Sequence, residues 1–268
     1  MIVGNIKLRL IIMAVVAAFS FFSYLGKESV NPITGERQRV SLTREQEIAM
    51  GLRSAPEMAQ QFGGLSSDPE IVAAVAKVGE RIVARSVAAR SGYPFTFHVL
   101  ADPNTVNAFA LPGGPIFITL ALLSRLESED QLAGVLAHEV GHVIARHSAE
   151  RLAKQELTAG LTGAVVMGAG SYEMGRVAQM VGSFVTMKYG REDELEADRL
   201  GLCLMAEAGY RPQALSGVMR ILAKASGGSR MPEFASTHPS SANRVQQIQA
   251  LLAELPRICH AGRARPAG

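Results

Sequence analysis

The chain has 268 residues, of which 48% are hydrophobic, so it can bury a core and is not expected to be disordered. Only 6% of its residues are aromatic and none is Trp, while Ala, Leu, Val and Gly abound, which favours close-packed helices over a β-sandwich or barrel. The formal net charge of +3 comes from scattered Lys and Arg without a clustered basic stripe, so we expect no nucleic acid partner.

Residues 1–26 have the pattern of a membrane anchor or signal segment. Lys7 and Arg9 precede an almost uninterrupted apolar run from Leu10 to Leu25, the arrangement of a charged n-region and a hydrophobic h-region. The run is short for a membrane span and long for a cleaved h-region, and its small-residue cleavage sites are poor. We therefore expect an uncleaved anchor rather than a cleaved signal peptide, with the remaining chain across the membrane from the cytoplasm.

The rest of the chain divides by composition into three parts. Residues 27–41 are polar and rich in turn signals, which predicts a linker, and residues 259–268 predict a disordered tail. The folded domain is expected between them, over residues 42–258. Within it, the Gly-rich, apolar residues 157–190 fit either loosely packed core helices or a mobile cover or membrane-facing surface.

Apolar periodicity and capping residues predict a mostly helical domain with a small sheet. Helices are expected over residues 43–58, 69–88, 129–155, 192–208 and 245–255. A further helix is expected to start at Pro212. Alternation of apolar and polar residues around Phe97 predicts one strand, and residues 107–119 predict two short strands joined at Gly113-Gly114. The expected fold class is α+β, predominantly helical.

The chain contains two cysteines, Cys203 and Cys259, which form neither a metal-type CxxC pair nor a multi-disulfide framework. They could form one bridge in an oxidising compartment. Because Cys203 lies in an apolar helical pattern, we favour the alternative that it is a small buried hydrophobic residue.

The most informative residues are His138, Glu139 and His142, which form an HExxH pattern inside the predicted helix 129–155. The i, i+4 spacing projects both imidazoles from one helix face, where they can bind one zinc ion, while Glu139 can reach a water molecule rather than the metal. A catalytic zinc uses three protein ligands and lowers the pKa of water to about 7. The pattern therefore predicts metal-assisted hydrolysis with Glu139 as the general base.

A third ligand must come from elsewhere in the chain. Acidic residues cluster downstream, in a run that is ordinarily a solvated helix face: Glu192, Asp193, Glu194, Glu196 and Asp198. Glu194 and Asp198 are again i and i+4, so one can bind the metal while the other accepts a hydrogen bond from a ligand imidazole. Ala197 between them would permit close helix packing.

Several motifs along the chain point to one family. They are Asn31-Pro32-Ile33-Thr34-Gly35, Asn107-Ala108-Phe109-Ala110, the segment from His138 to His147, Glu194-Leu195-Glu196-Ala197-Asp198, and Ser236-Thr237-His238-Pro239 followed by Arg244. Together they resemble the HtpX-like and CAAX-prenyl-endopeptidase-type zinc metallopeptidases, including the periplasmic BepA-like members, over most of residues 31–250. The resemblance implies a gluzincin-type fold with a small sheet beside the HExxH helix. No helical-repeat domain like that of longer BepA-like members is expected in this chain.

The resemblance also implies the site residues. One Zn²⁺ per chain would be bound by His138, His142 and Glu194, with Asp198 as the hydrogen-bond partner of a ligand histidine. The strand that follows Gly113-Gly114 would be a sheet edge on which an extended substrate peptide pairs by β-augmentation. The substrate-binding residues of that strand would be Ile116, Phe117, Ile118 and Thr119.

The roles of His238 and Arg244 stay open at this stage. Because the family places a histidine of this motif near the metal, His238 would either stabilise the oxyanion of the tetrahedral intermediate or occupy the open zinc position as a lock. The lock is slightly favoured, since a loop residue beside a Gly-rich segment is easily displaced by substrate. Arg244 could orient His238 or bind substrate. His147 lies at i+5 from His142, off the ligand face, and is interpreted as structural.

The resemblance and the N-terminal segment together predict a zinc metalloendopeptidase of the bacterial cell envelope. It would be anchored in the inner membrane or secreted, with its catalytic domain in the periplasm. Unfolded or misassembled envelope proteins are the expected substrates, as in protein quality control. The alternative is a chaperone or assembly factor that binds envelope proteins at its sheet edge and has a latent zinc site.

Overall fold

The computed structural model describes residues 6–169, 189–226, 234, 238 and 244–261. This part is predominantly helical with small sheets, so the predicted α+β class is confirmed. The helices are α1 (Ile6–Leu25), α2 (Arg44–Gln61), α3 (Pro69–Ala84), α4 (Leu120–Leu123), α5 (Glu129–Ile144), α6 (His147–Ala169), α7 (Arg191–Ala208), α8 (Ala214–Ser226), α9 (Arg244–Ala253) and α10 (Leu255–Ala261). The strands are β1 (Glu28–Val30), β2 (Arg37–Arg39), β3 (Thr96–Leu100), β4 (Ala108–Ala110) and β5 (Pro115–Thr119).

The main sheet has three strands in the order β3-β5-β4. β3 runs parallel to β5, with Phe97 beside Ile116, while β4 runs antiparallel to β5. The tight connection between β4 and β5 requires Gly113, because its φ of 82° is in the left-handed region and a Cβ there would lie 2.4 Å from the Cα of Ile48. The two strands predicted over residues 107–119 are confirmed.

Helix α5 is the centre of the described fold and is buried along almost its whole length. It packs against α3, α7, α8 and the sheet. Glycines let α5 and α7 approach closely, since a Cβ at Gly141 would lie 3.1 Å from the carbonyl oxygen of Ala197, and one at Gly201 would lie 3.2 Å from the amide nitrogen of His138. The close packing predicted at Ala197 is confirmed.

The predicted continuous helix over 129–155 is wrong, because the chain turns between α5 and α6. Arg146 has a φ of 61°, which is left-handed backbone that a non-glycine residue seldom adopts, and α6 begins at the next residue. The Arg146 guanidinium donates to Glu47 Oε1 at 2.6 and 2.9 Å and to the Leu42 carbonyl at 2.6 Å. These long-range bonds stabilise the turn, and helical periodicity gives no sign of them.

The predicted linker is a packed hairpin instead. β1 and β2 pair antiparallel, and Asn31 between them is buried. The Asn31 side-chain amide donates to the Ile144 carbonyl at 2.8 Å and to Gln38 Oε1 at 3.2 Å. Since Ile144 is the last residue of α5, the hairpin satisfies a carbonyl that the helix end leaves without a partner of its own.

Cys203 and Cys259 form a disulfide, so the favoured interpretation of Cys203 as a simple buried hydrophobic residue is wrong. The bond joins α7 to α10, which packs against it. Cys259 therefore belongs to a helix and not to the predicted tail, of which residues 262–268 lie outside the described residues.

Helix α1 packs along α6 and leaves many large apolar side chains exposed. They are Leu8, Leu10, Ile11, Ile12, Val15, Phe19, Phe21, Phe22 and Leu25. In the part of the chain that the structure describes, no helix has both the length and the apolar content needed to cross a bilayer. The Gly-rich segment predicted over 157–190 lies partly in α6 and, over residues 170–188, outside the described residues.

Candidate metal centre

Two histidines from α5 form one side of a buried cluster. His138 and His142 are one helical turn apart, and each is 1% exposed. Their Nε2 atoms lie 3.1 Å from each other, so both rings aim the same nitrogen at one point. The HExxH spacing thus brings both imidazoles to one point, as expected from the sequence.

A carboxylate and a third imidazole complete the cluster. Glu194 comes from the first turn of α7, with its Oε1 3.5 Å from His142 Nε2 and its Oε2 3.6 Å from His138 Nε2. His238 places Nδ1 2.9 Å from Glu194 Oε1 and 3.4 Å from His138 Nε2. One ligand atom from each of the four residues lies within 4.8 Å of the others. Three imidazoles and one carboxylate converging on one buried point are a donor set that fits a zinc ion.

The electrostatics of the cluster favour the metal-binding forms of two of its members, His142 and Glu194. Burial lowers the pKa of His142 well below its usual range, which favours the neutral imidazole. Burial opposes ionisation of Glu194, but His238, His138 and His142 outweigh it and hold the pKa of Glu194 well below its ordinary value. Glu194 is thus ionised at neutral pH, the form that could bind a metal.

His138 has a carboxylate behind it. Its Nδ1 lies 3.0 Å from Asp198 Oδ1, and Asp198 is fully buried. Burial by itself would lower the pKa of His138, but its hydrogen bonds to the carboxylates of Asp198 and Glu194 outweigh burial and raise the pKa to about 9. Asp198 therefore fixes the orientation of the ring, as expected of a carboxylate behind a metal-ligating histidine.

Arg244 neutralises the carboxylates of the cluster. Its guanidinium contacts Asp198 at 2.8 and 2.9 Å, and its Nη1 lies 2.7 Å from Glu194 Oε2. The side chain is only 3% exposed. Arg244 was expected to orient His238 or to bind substrate, and in the structure its charge is directed to Asp198 and Glu194.

Glu139 lies beside the cluster without being part of it. It is fully buried, and neither carboxylate oxygen has a hydrogen-bond partner among the described residues. Its Oε1 is 3.5 Å from Nε2 of His238. Burial raises the pKa of Glu139, while the charges of His238 and His138 oppose the rise. A buried carboxylate with a raised pKa and no partner is suited to accept and return a proton.

Comparison with known proteins gives the family. Residues 71–252 match Peptidase family M48. The chain belongs to this family. The resemblance seen in the sequence motifs is therefore confirmed, and the metallopeptidase class that they predict is supported.

M48 relatives include the mitochondrial metalloendopeptidase OMA1 of Schizosaccharomyces pombe, which is 35% identical over 228 residues. The beta-barrel assembly-enhancing protease of Yersinia pestis is 32% identical over 236 residues, and that of Escherichia coli K12 is 29% identical over 255 residues. The three matches cover 83%, 84% and 88% of this chain but 66%, 48% and 51% of the relatives. The chain thus spans between about half and two thirds of their length.

Two aromatic residues that line the M48 site were not predicted from the sequence. The Tyr189 ring stacks on His142 with centroids 3.9 Å apart, and its hydroxyl lies 3.1 Å from Ser148 Oγ. Phe234 stacks on His238 at 4.4 Å. The only signal in the sequence was position, since Phe234 precedes His238 by four residues and Tyr189 lies two residues before the acidic helix α7.

His147 lies against the M48 site, contrary to the prediction that it faces away from the ligands. Its Nδ1 is 2.8 Å from Nδ1 of His142, and its Nε2 is 3.3 Å from Glu196 Oε2. An i+5 offset places His147 off the ligand face only in an unbroken helix. Because the chain turns at Arg146, His147 starts a new helix and returns to the side of His142.

The prediction that Ile116, Phe117, Ile118 and Thr119 form a sheet edge is wrong. They belong to β5, which lies between β3 and β4 and is paired on both sides. A peptide cannot pair with a strand whose two edges are already occupied. The expectation came from order along the chain, and that order does not predict which strand is central.

The strand at the edge beside α5 is β4. Its bonds to β5 are formed at positions 107 and 111, where the Asn107 carbonyl accepts from Thr119 and the Leu111 amide donates to Pro115. The amide and carbonyl groups of Ala108 and Ala110 therefore point away from β5. Within the described residues, these groups have no hydrogen-bond partner.

Proposed function

We propose that the chain is a zinc-dependent metalloendopeptidase that binds one zinc ion through His138, His142 and Glu194. The observation that carries the proposal is the convergence of these donors with His238 within 4.8 Å, beside a buried carboxylate that has no hydrogen-bond partner in the described part of the chain. Membership of an M48 peptidase family supports the same activity.

The residues around the site have distinct tasks in peptide hydrolysis. A zinc ion held by these ligands supplies Lewis acidity, which polarises a peptide carbonyl and acidifies a water molecule. Glu139 takes the proton of the attacking water and delivers it to the leaving amine. Because Glu139 is buried, its raised pKa brings proton acceptance and proton return closer in energy. Asp198 holds His138, and Arg244 balances the charge of Asp198 and Glu194.

An extended substrate would lie along β4, which is buried in this structure and would have to be uncovered before a peptide could pair with it. The outward amide and carbonyl groups of Ala108 and Ala110 are the groups with which a peptide strand pairs in β-augmentation. β4 also contacts α5, the helix that carries His138 and Glu139, so a peptide on this edge would lie near that helix. Backbone pairing selects extended chains and so favours unfolded protein over folded protein.

For His238 the proposal is the lock. Its Nδ1 lies among the donor atoms, 2.9 Å from Glu194 and 3.4 Å from His138, as expected of an additional ligand. A fourth protein ligand would close the coordination shell against water, so substrate would have to displace His238. An oxyanion donor would instead be expected to face the substrate.

Unfolded or misassembled cell-envelope proteins are the proposed substrate class, in the service of quality control. The support is the printed name of two relatives, beta-barrel assembly-enhancing protease, together with the sequence resemblance. Location in the bacterial envelope, with the catalytic domain in the periplasm, and membrane attachment through residues 1–26 belong to the same proposal. The exposed apolar side chains of α1 and the charges of Lys7 and Arg9 are compatible with attachment to a membrane.

The second candidate is a chaperone or assembly factor with a latent site. The position of His238 favours it, since a fourth ligand would leave the centre inactive while the β4 edge still bound polypeptide. The two candidates differ in whether Glu139 matters. A chaperone needs no general base, whereas a protease does.

The deciding experiment compares wild-type protein with Glu139→Gln, using an unfolded protein as substrate and measuring zinc content in parallel. The proposal expects about one zinc per chain in both proteins and loss of cleavage in the variant. Glu192→Gln is the control, because Glu192 is exposed on α7 and its substitution by Gln removes the same charge. Equal cleavage by Glu139→Gln and wild type would overturn the proposed mechanism, and binding without cleavage by wild type would favour the chaperone.

A further inference from the structure

We propose that His147 and Glu196 are positioning residues that hold His142 in its metal-binding orientation. The inference rests on the proposed zinc site and adds two residues to it. They form a chain that runs from His142 through His147 to Glu196. No ligand role is assigned to either of them.

The protonation pattern of this chain follows from geometry. His142 Nε2 faces the other donors, 3.1 Å from His138 and 3.5 Å from Glu194. A ligand nitrogen must keep its lone pair for the metal, so the hydrogen of neutral His142 lies on Nδ1. That nitrogen is 2.8 Å from His147 Nδ1, which must then be the acceptor.

The two contacts of His147 determine its tautomer. If Nδ1 of the neutral ring accepts, its hydrogen lies on Nε2, which is 3.3 Å from Glu196 Oε2. His147 is 2% exposed, so water does not readily replace either partner. Each ring therefore has one donor nitrogen and one acceptor nitrogen. Because the Glu196 carboxylate can only accept, it determines that the hydrogen bonds run from His142 to His147 and from His147 to Glu196.

The series of hydrogen bonds from His142 through His147 to Glu196 ends at the protein surface. The Glu196 side chain is 22% exposed, and its Oε1 lies 3.6 Å from Arg199, which reaches Glu36 at 3.5 Å. By contrast, His138 contacts the buried carboxylate of Asp198 directly. The two proposed ligand histidines are thus held differently. His138 contacts a carboxylate directly, whereas His142 contacts His147, which in turn contacts the carboxylate of Glu196.

Loss of such support weakens a metal site without removing a ligand. Hydrogen-bond partners behind ligand histidines typically affect metal affinity by about 10- to 100-fold. The His142 ring also stacks on Tyr189, which restricts its tilt but does not choose which nitrogen carries the hydrogen. His147 and Glu196 determine which nitrogen of His142 carries the hydrogen.

Two substitutions of His147 separate hydrogen bonding from packing. In His147→Asn, the amide oxygen can occupy the place of Nδ1 and accept from His142, although the contact with Glu196 is lost. In His147→Gln, the amide reaches the place of Nε2, so the contact with Glu196 can remain but the acceptor for His142 is lost. Gln is closer to His in size, so a packing role alone would predict that Gln is the better replacement.

The readout is the zinc dissociation constant of the full chain, measured by competition with a chelator. We expect His147→Asn to stay within about threefold of wild type and His147→Gln to bind zinc about 10- to 100-fold more weakly. Glu196→Gln should weaken binding by a smaller factor, and it should have no further effect in the His147→Asn background. Glu192→Gln, an exposed charge change on the same helix, is the matched control.

The outcomes distinguish this inference from the proposed function. If wild type binds no zinc, or if His138→Ala leaves its affinity unchanged, the proposed metal site itself fails. If wild type binds zinc and His138→Ala weakens it, but Gln at position 147 binds as tightly as Asn or more tightly, the positioning role is overturned. If both His147 variants fail to fold, Glu196→Gln decides: affinity equal to that of Glu192→Gln overturns the role, and weaker affinity supports it.

Discussion

Arg244 forms a two-point ion pair with Asp198, with Nε 2.8 Å from Oδ2 and Nη2 2.9 Å from Oδ1. Its third nitrogen, Nη1, lies 2.7 Å from Glu194 Oε2. One buried cation thus joins the proposed ligand on the first turn of α7 to the carboxylate that orients His138. α9, the helix that begins at Arg244, thereby becomes part of the candidate metal centre.

Arg244→Gln should destabilise the metal-free protein by about 3–5 kcal/mol, because it leaves two buried carboxylates without their cation. Added zinc should restore more stability in the variant than in wild type, since the metal charge partly replaces the guanidinium at Glu194. Denaturant unfolding with zinc and with a chelator measures both effects. Arg53→Gln, at an exposed position of α2, is the control. An equal loss of stability with and without zinc would contradict the electrostatic link between Arg244 and the metal.

His238→Ala tests the lock. If His238 closes the coordination shell, the substitution should increase the rate of cleavage of an unfolded protein while zinc content stays at the wild-type level. If His238 is an oxyanion donor, kcat should fall by about a hundredfold or more with zinc retained. Activity and zinc content both equal to wild type would exclude both roles.

Ala110→Pro tests the β4 edge. The Ala110 amide points away from β5, so proline removes a bond to a bound peptide but none to the sheet. We expect kcat/KM for an unfolded protein to fall about tenfold, the effect of losing one hydrogen bond, with little change in stability. Leu111→Pro is the contrasting variant, because the Leu111 amide donates to Pro115 and its loss should destabilise the sheet. Unchanged activity in Ala110→Pro would place the substrate elsewhere.

Replacing both Cys203 and Cys259 with Ala should lower the free energy of unfolding by about 2–5 kcal/mol, since the disulfide closes a loop of 56 residues. Denaturant unfolding of the oxidised protein measures this loss. A reductant should destabilise wild type and leave the double variant unchanged. Equal stability of the two oxidised proteins would mean that the bond contributes nothing to the folded state.

Local sequence was enough for the features that depend on one helix or one turn. His138 and His142 share a face because any α-helix places i and i+4 on one side. The helix ends were equally local, as Thr43 and Gln46 form the capping box that begins α2 and Gly209 ends α7 with a φ of 77°. The class of chemistry followed from these short-range patterns and from the motifs.

Features that depend on distant contacts could not be predicted in this way. The turn at Arg146 depends on Glu47, about a hundred positions earlier in the chain, and it is this turn that brings His147 to His142. The central place of β5, the partners of Arg244 and the disulfide of Cys203 likewise join segments far apart in sequence. Periodicity and capping report the conformation of neighbouring residues, whereas these pairings form only when the core packs, so they leave no local pattern to find.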